Sequence, residues 1–156
     1  MKTTQENKSF NAAQANIWSF TAAFVEVIRT QQLDEVKKFL GDLRIRQQNE
    51  FFTFYTAKSV DLASGERVMA FSIASDRNGT NISARFEVSN RCISHDEVKL
   101  HYPGWRIVAG PRGGSLEEET RYQVNIGGYA YTFGFAEKAP DCLNSIGVGR
   151  LSKPES

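Results

Sequence analysis

Residues 129–136 read Tyr-Ala-Tyr-Thr-Phe-Gly-Phe-Ala, an unbroken alternation of aromatic and small side chains. Side chains alternate faces along a β-strand, so Tyr129, Tyr131, Phe133 and Phe135 share one face and Ala130, Thr132, Gly134 and Ala136 the other. One face is a wall of rings. The other is flat enough to let a helix or a ligand approach the backbone. Near the N-terminus Ile17, Phe20, Phe24, Val27 and Ile28 recur at spacings of three and four, which makes the apolar stripe of an amphipathic helix. Some face of the sheet must cover that stripe. If the helix takes the small face, the rings mark a partner surface. If it takes the ring face, the strand is core, and function is sought in Tyr102–Gly114. Periodicity leaves both open.

Working outward, a second short helix is expected from about Leu33 to Leu40, after a break at Gln31 and Gln32. Lys37 and Lys38 sit where the helix dipole favours cations, and Gly41 is placed to stop it. Leu43–Glu50 offers a third helical turn or two. Phe51–Leu62 is aromatic and β-branched and reads as a strand, as does Arg67–Ser75. Asn78-Gly79 is a hairpin signal, and Thr80–Val88 alternates cleanly, one face dry and one wet. Val98–Tyr102 and Trp105–Ala109 read as short strands split by Pro103-Gly104. Arg121–Ile126 and Tyr129–Ala136 form a final hairpin across Gly127-Gly128. Pro140–Ser145 reads as a helical turn. Residues 1–9 and 151–156 read as flexible polar tails around a single domain over 10–150. Helices first and strands after predict an α+β fold, with N-terminal helices on one face of a curved antiparallel sheet of six to seven strands.

Composition narrows the function classes. A 40% hydrophobic and 24% charged chain is that of a soluble globular protein. With 19 Lys+Arg against 18 Asp+Glu, no global field steers it onto nucleic acid or an anionic membrane, so nucleic acid is an unlikely partner. Met1–Phe10 lacks the apolar segment of a secretory signal, and no apolar run spans a bilayer, which predicts a cytoplasmic protein. Cys92 and Cys142 then read as reduced, partly buried thiols, with one disulfide as the alternative for an exported chain. Asn78-Gly79-Thr80 and Asn81-Ile82-Ser83 read as a turn and a strand start.

There is no phosphate-binding loop, no His-Glu-x-x-His, no Cys-x-x-Cys and no Gly-x-Ser-x-Gly, so no catalytic residue, metal site or cofactor is assigned. His95-Asp96 and His101 are expected in structural or surface roles, and Asp61 and Asp76 in turns. The run Glu117–Glu119 reads as a solvated loop. The most function-like stretch is Tyr102-Pro103-Gly104-Trp105-Arg106 through Arg112-Gly113-Gly114. Tyr, Trp and Arg dominate interface hot spots, and consecutive glycine amides can cradle an anion. Tyr102, Trp105, Arg106, Arg112, Tyr129 and Tyr131 are therefore the candidate binding residues.

Helices leading into a curved antiparallel sheet over Phe10–Ala136 resemble, in element order, the nuclear-transport-factor-like and cystatin-like α+β cones. Such cones enclose a pocket, here lined by Phe54, Phe71, Tyr131 and Phe133, and they include both enzymes and binding domains. The preferred reading is a non-catalytic protein-binding factor, of inhibitor, immunity or accessory type. Its partner is another protein, or a second copy through an exposed ring face. The alternative is a small-molecule pocket with isomerase or hydrolase chemistry carried by His95, Asp96, His101 or Asp61 with Tyr131.

Overall fold

The computed structural model describes residues 10–151. Helix α1 spans Ile17–Arg29 and starts at Asn16. The Asn16 side-chain oxygen accepts from the amides of Trp18 (2.9 Å) and Ser19 (2.8 Å), and the Asn16 amide donates to the Ser19 hydroxyl. The donors left over at the helix start are thus satisfied reciprocally. The helix ends where Gln31 turns left-handed, at φ 56°. The Gln31 amide group donates to the carbonyls of Ile28 and Ile82, and its oxygen accepts from the Ile82 amide at 2.8 Å. One glutamine therefore ends the helix and ties it to the sheet. Helix α2, Leu33–Leu40, stops at Gly41 as expected, with φ 93°.

The strands are β1 (Arg44–Gln48), β2 (Phe52–Thr56), β3 (Val60–Asp61), β4 (Arg67–Asp76), β5 (Ile82–Ser89), β6 (Arg106–Ala109), β7 (Glu119–Ile126), β8 (Tyr129–Ala136) and β9 (Leu143–Arg150). They form one sheet in the order β1-β2-β4-β5-β9-β8-β7-β6, with β3 beside β4. Every pairing is antiparallel. The α+β class, N-terminal helices and antiparallel sheet are as read from the sequence, with nine strands in place of six or seven. Bulges bend the sheet. In β4 the register slips between Met69 and Ser72, where Ala70 adopts φ 53°.

The ring face is the dry one. Phe133 and Phe135 are essentially inaccessible, and Tyr129 and Tyr131 are buried. The stripe of α1 lies mainly over the neighbouring strands: Phe20 and Phe24 each meet Phe71 of β4 and Phe86 of β5, at 5.5–6.3 Å between centroids. Each such fully buried ring contributes roughly 1.5–3 kcal/mol. A third helix, α3 (His95–His101), lies between β5 and β6 in the chain, and the residues around it cover the β8 rings. Tyr102 packs on Phe133 at 5.1 Å and on Tyr131 at 5.5 Å.

Four local expectations are corrected. Residues 43–50 form strand β1 and no helix. The expected strand 51–62 divides into β2 and β3. Residues 98–102, read as a strand, belong to α3 and the residue that follows it, because Ser94 accepts from the Glu97 amide and Asp96 and Glu97 complement the dipole. The helical turn read at 140–145 gives way to β9, a central strand whose Leu143, Ile146 and Val148 are buried. The tails 1–9 and 152–156 lie outside the described residues. Leu151, read as tail, donates its amide to Gly128 at 2.9 Å.

The cysteines are also corrected: Cys92 and Cys142 form a disulfide, with Cα atoms 4.8 Å apart across a sequence separation of 50. It joins the segment after β5 to the residue before β9, two chain ends already adjacent because those strands pair. Closing a loop of that length restricts the unfolded chain by about 4 kcal/mol in the chain-entropy view. Reduction, or the double change Cys92→Ala/Cys142→Ala, is expected to lower unfolding free energy by about 2–4 kcal/mol, read from urea denaturation with and without reductant. An unchanged midpoint would show that the pair is not bonded in solution.

Candidate interaction site at the Trp105 edge

The segment singled out in the sequence becomes the rim of the sheet. Tyr102 ends α3 and turns inward. Trp105 stacks on Tyr122 of β7 at 4.2 Å, meets Phe135 edge-on at 6.0 Å, and has Lys99 5.7 Å from its ring centre. His95 lies in the same cluster, stacked on Phe135 at 3.8 Å with Nε2 3.0 Å from the Pro140 carbonyl. These contacts make Trp105 and His95 a cover for the end of the ring wall.

From Trp105 the chain enters β6, whose four residues are all exposed. It is the last strand of the sheet and pairs only with β7 among the described residues. Ile107 stands across from Tyr122 and therefore extends the same aromatic face beyond its cover. Ile107 is 61% exposed, Val108 44% and Leu116, in the following loop, 65%. Arg106 and Arg112 are exposed at the two ends of this stretch. Tyr102 and Trp105 are half-buried, and Tyr129 and Tyr131 belong to the core, away from the rim. The structure thus brings Trp105, Arg106 and Arg112 to one edge.

The glycine loop does cradle an anion, but the anion is its own. The Glu118 carboxylate accepts from the Arg112 amide at 2.6 Å, and its Oε2 lies 2.8 Å from where a Cβ on Gly114 would stand. The groups considered for acid–base chemistry are scattered. His101 stacks on Trp18 at 4.3 Å, Asp61 pairs with Arg67 at 2.7 Å, Asp96 is exposed, and Tyr131 is buried under Tyr102. Of the expected pocket rings, Phe71 and Phe133 are packed in the core, whereas Phe54 pairs with Ala74 on the opposite face. Among the described residues no three His, Cys, Asp or Glu side chains stand together as metal ligands.

Two buried carboxylates escaped the sequence reading. Glu66, fully buried, accepts from Ser64 and from Arg91 (2.6 Å), and Arg91 continues to Glu97 (3.0 Å), which also accepts from the Trp18 indole. This chain of bonds fastens α1, the turn before β4 and α3 to one another. Glu119, read as solvated, has a side chain only 2% exposed. It accepts from Ser145 (2.7 Å), Asn144 (2.7 Å), Arg121 (3.0 Å) and Arg85 (3.1 Å). It lies directly over Gly134, where a Cβ would come within 2.5 Å of the carboxylate. Burial opposes its ionisation, but the bonds from Ser145, Asn144 and Arg121 and the charge of Arg85 prevail and hold its carboxyl below the ordinary value of 4.5. Burial of Glu66 is likewise outweighed by Ser64 and Arg91. Comparison with family models, curated proteins and solved structures finds no match, so the likeness to the cone folds rests on element order.

Trp105→Ala removes a half-buried ring from a four-membered cluster and is expected to cost about 2 kcal/mol, read from the urea midpoint. A change under about 0.5 kcal/mol would mean that the ring is free for a partner. Because the folded carboxyls of Glu66 and Glu119 titrate below 4.5, their stabilisation is complete above that value and lost as pH falls through the folded values. The urea midpoint is expected to be flat between about pH 5 and 7 and to fall below about pH 4.5. Glu119→Gln should cost about 2 kcal/mol at neutral pH and make the acid limb shallower. A parallel acid limb in the variant would remove Glu119 from this account.

Proposed function

We propose that this protein is a non-catalytic protein-binding factor that takes an extended segment of another protein along the free edge of β6. The observation that carries this reading is the exposure of all four β6 residues at the unpaired end of the sheet, with Ile107 and Val108 uncovered. An edge strand presents a row of unpaired amides and carbonyls that a partner strand can complete. Arg106 and Arg112 flank the row and supply charge selection for acidic residues in the partner. The dispersal of His95, His101, Asp61 and Asp96 supports binding over acid–base chemistry. The inhibitor, immunity or accessory type fits a small domain of this kind.

Among the described residues no helix is long and apolar enough to cross a membrane. The Cys92–Cys142 disulfide supports action in an oxidising compartment in place of the cytoplasm expected from reduced thiols.

A photo-reactive residue installed at Val108 in the native cell tests the reading. It is expected to yield one discrete adduct, while the same residue at exposed Gln14, in the 12–14 turn that packs by β3 in the other half of the sheet, yields none. Ile107→Lys, an exposed change costing under about 0.5 kcal/mol, should abolish the Val108 adduct. An adduct of twice the chain mass would make the partner a second copy. Equal labelling at both positions, or none at Val108, would sink the proposal.

A further inference from the structure

Residues 78–83 read Asn-Gly-Thr-Asn-Ile-Ser and hold two consecutive Asn-x-Ser/Thr patterns. The fold presents them differently. Asn78, Gly79 and Thr80 lie in the turn between β4 and β5, and all three are exposed. The turn is fixed from within. Asp76 Oδ1 accepts from the amides of Thr80 (2.7 Å) and Asn81 (3.2 Å), and its Oδ2 accepts from the Thr80 hydroxyl (2.8 Å). The Asp76 carbonyl accepts from the Gly79 amide at 3.0 Å. A Cβ on Gly79 would meet nothing within 4 Å, so the tip stands in open space. In the second pattern Asn81 is exposed, but Ile82 is fully buried and Gln31 holds both its amide and its carbonyl. Ser83 lies within β5, opposite Ala74.

A second observation sits beside the first pattern. Arg77 donates its amide to the Phe51 carbonyl at 3.0 Å and its Nη1 to the Glu50 carbonyl at 3.0 Å. These bonds hold the tip of the β1–β2 hairpin against the turn that carries Asn78. That neighbouring tip bears two uncovered rings, Phe51 at 64% and Phe52 at 38% exposure. Adjacent exposed rings invite association unless something shields them.

We propose that Asn78 is an N-glycosylation site. The donor is an oligosaccharide carried on a lipid pyrophosphate. The Asn78 side-chain nitrogen bonds to the anomeric carbon of the sugar, and the bond from that carbon to the pyrophosphate oxygen breaks. One amide proton and the lipid pyrophosphate leave, and nothing is oxidised or reduced. The acceptor pattern needs the asparagine and the hydroxyl two residues on, and it is used on surface loops of secreted chains. Asn78 and Thr80 meet that requirement together on one exposed turn. The proposal rests on the oxidising compartment read from the Cys92–Cys142 disulfide, because the transfer takes place where disulfides form. A bulky, solubilising glycan at Asn78 screens Phe51 and Phe52 from association. It also stays clear of the proposed β6 contact, since β9, β8 and β7 stand between β5 and β6.

The test is a digest of the protein isolated from its native cell, made without reductant, with and without a peptide-N-glycosidase in heavy-oxygen water. Cleavage after Arg77 and Arg85 releases residues 78–85, which hold both patterns. Before the glycosidase acts, this peptide is expected to carry a hexosamine-containing glycan. Afterwards Asn78 should be an aspartate with one heavy oxygen and Asn81 should be unchanged. The enzyme-free digest in the same water subtracts any spontaneous loss of ammonia at Asn78-Gly79. Thr80→Ser, which keeps the hydroxyl, should keep the glycan, and Thr80→Val should lose it with Asn78 still in place. An unmodified 78–85 peptide from chains whose Cys92 and Cys142 are bonded would overturn the assignment, as would label at Asn81 in place of Asn78. The same digest reports the disulfide, so an unmodified peptide with both cysteines free would overturn the compartment reading along with the assignment.

Discussion

The packing of Phe20 and Phe24 against Phe71 and Phe86 is the contact on which the arrangement of the layers depends. It seats α1 over β4 and β5 and leaves the rings of β8 beside it with only partial helical cover. Arg29 reaches over Tyr129 at 4.6 Å and bonds the Gly127 carbonyl at 3.1 Å, so the helix end also holds the last hairpin. The rest of the ring wall needs a second cover, which α3, Tyr102 and Trp105 provide. Because that cover stops at Trp105, the apolar surface continues into the open at Ile107.

The opposite face obeys a different rule. With no helix above it among the described residues, its polar groups bond to one another or meet solvent. Glu119 shows how a charge survives there: four donors surround it, and a glycine beneath gives it room. Such an arrangement is destabilising when half-made and stabilising when complete, because an unpaired buried charge is costly. Glu66 meets the same requirement on the helical side, through Ser64 and Arg91.

Much of the fold was legible in side-chain spacing. The α1 stripe, the alternation in β5 and β8 and the stop at Gly41 each rest on local chemistry, and each is found in place. The ring or small choice for β8 was not local, since it turns on which face α1 and α3 cover. β9 was hidden because Gly147 and Gly149 dilute its alternation, and glycine is ordinarily a poor strand residue. Here those glycines serve a central strand whose outer side carries no helix among the described residues. α3 was hidden behind Val98, Leu100 and Tyr102, whose alternation imitates a strand, while the capping signal of Ser94 lay just upstream. The rim at Trp105 was legible as composition, but its position at a sheet edge was not. Glu119 was obscured by two acidic neighbours, although its spacing of two from Arg121 already put both on one face.

The position of β9 bears on how the chain reaches its native state. Hairpins β4–β5 and β7–β8 can each form from nearby residues. Neither joins the other until β9, later in sequence than all of them, enters between β5 and β8. The two halves of the sheet therefore remain separate, each with an open inner edge, for most of synthesis. Contacts of such long sequence separation form slowly, and open edges invite wrong pairings meanwhile. The bond between Cys92 and Cys142 lies where β5 ends and β9 begins, and Leu143 donates its amide to Ile93 at 2.8 Å beside it. Once oxidised, it holds the incoming strand at the mouth of the gap in the correct register. It thereby favours the native pairing of β5 with β9 over the wrong pairings open to either inner edge.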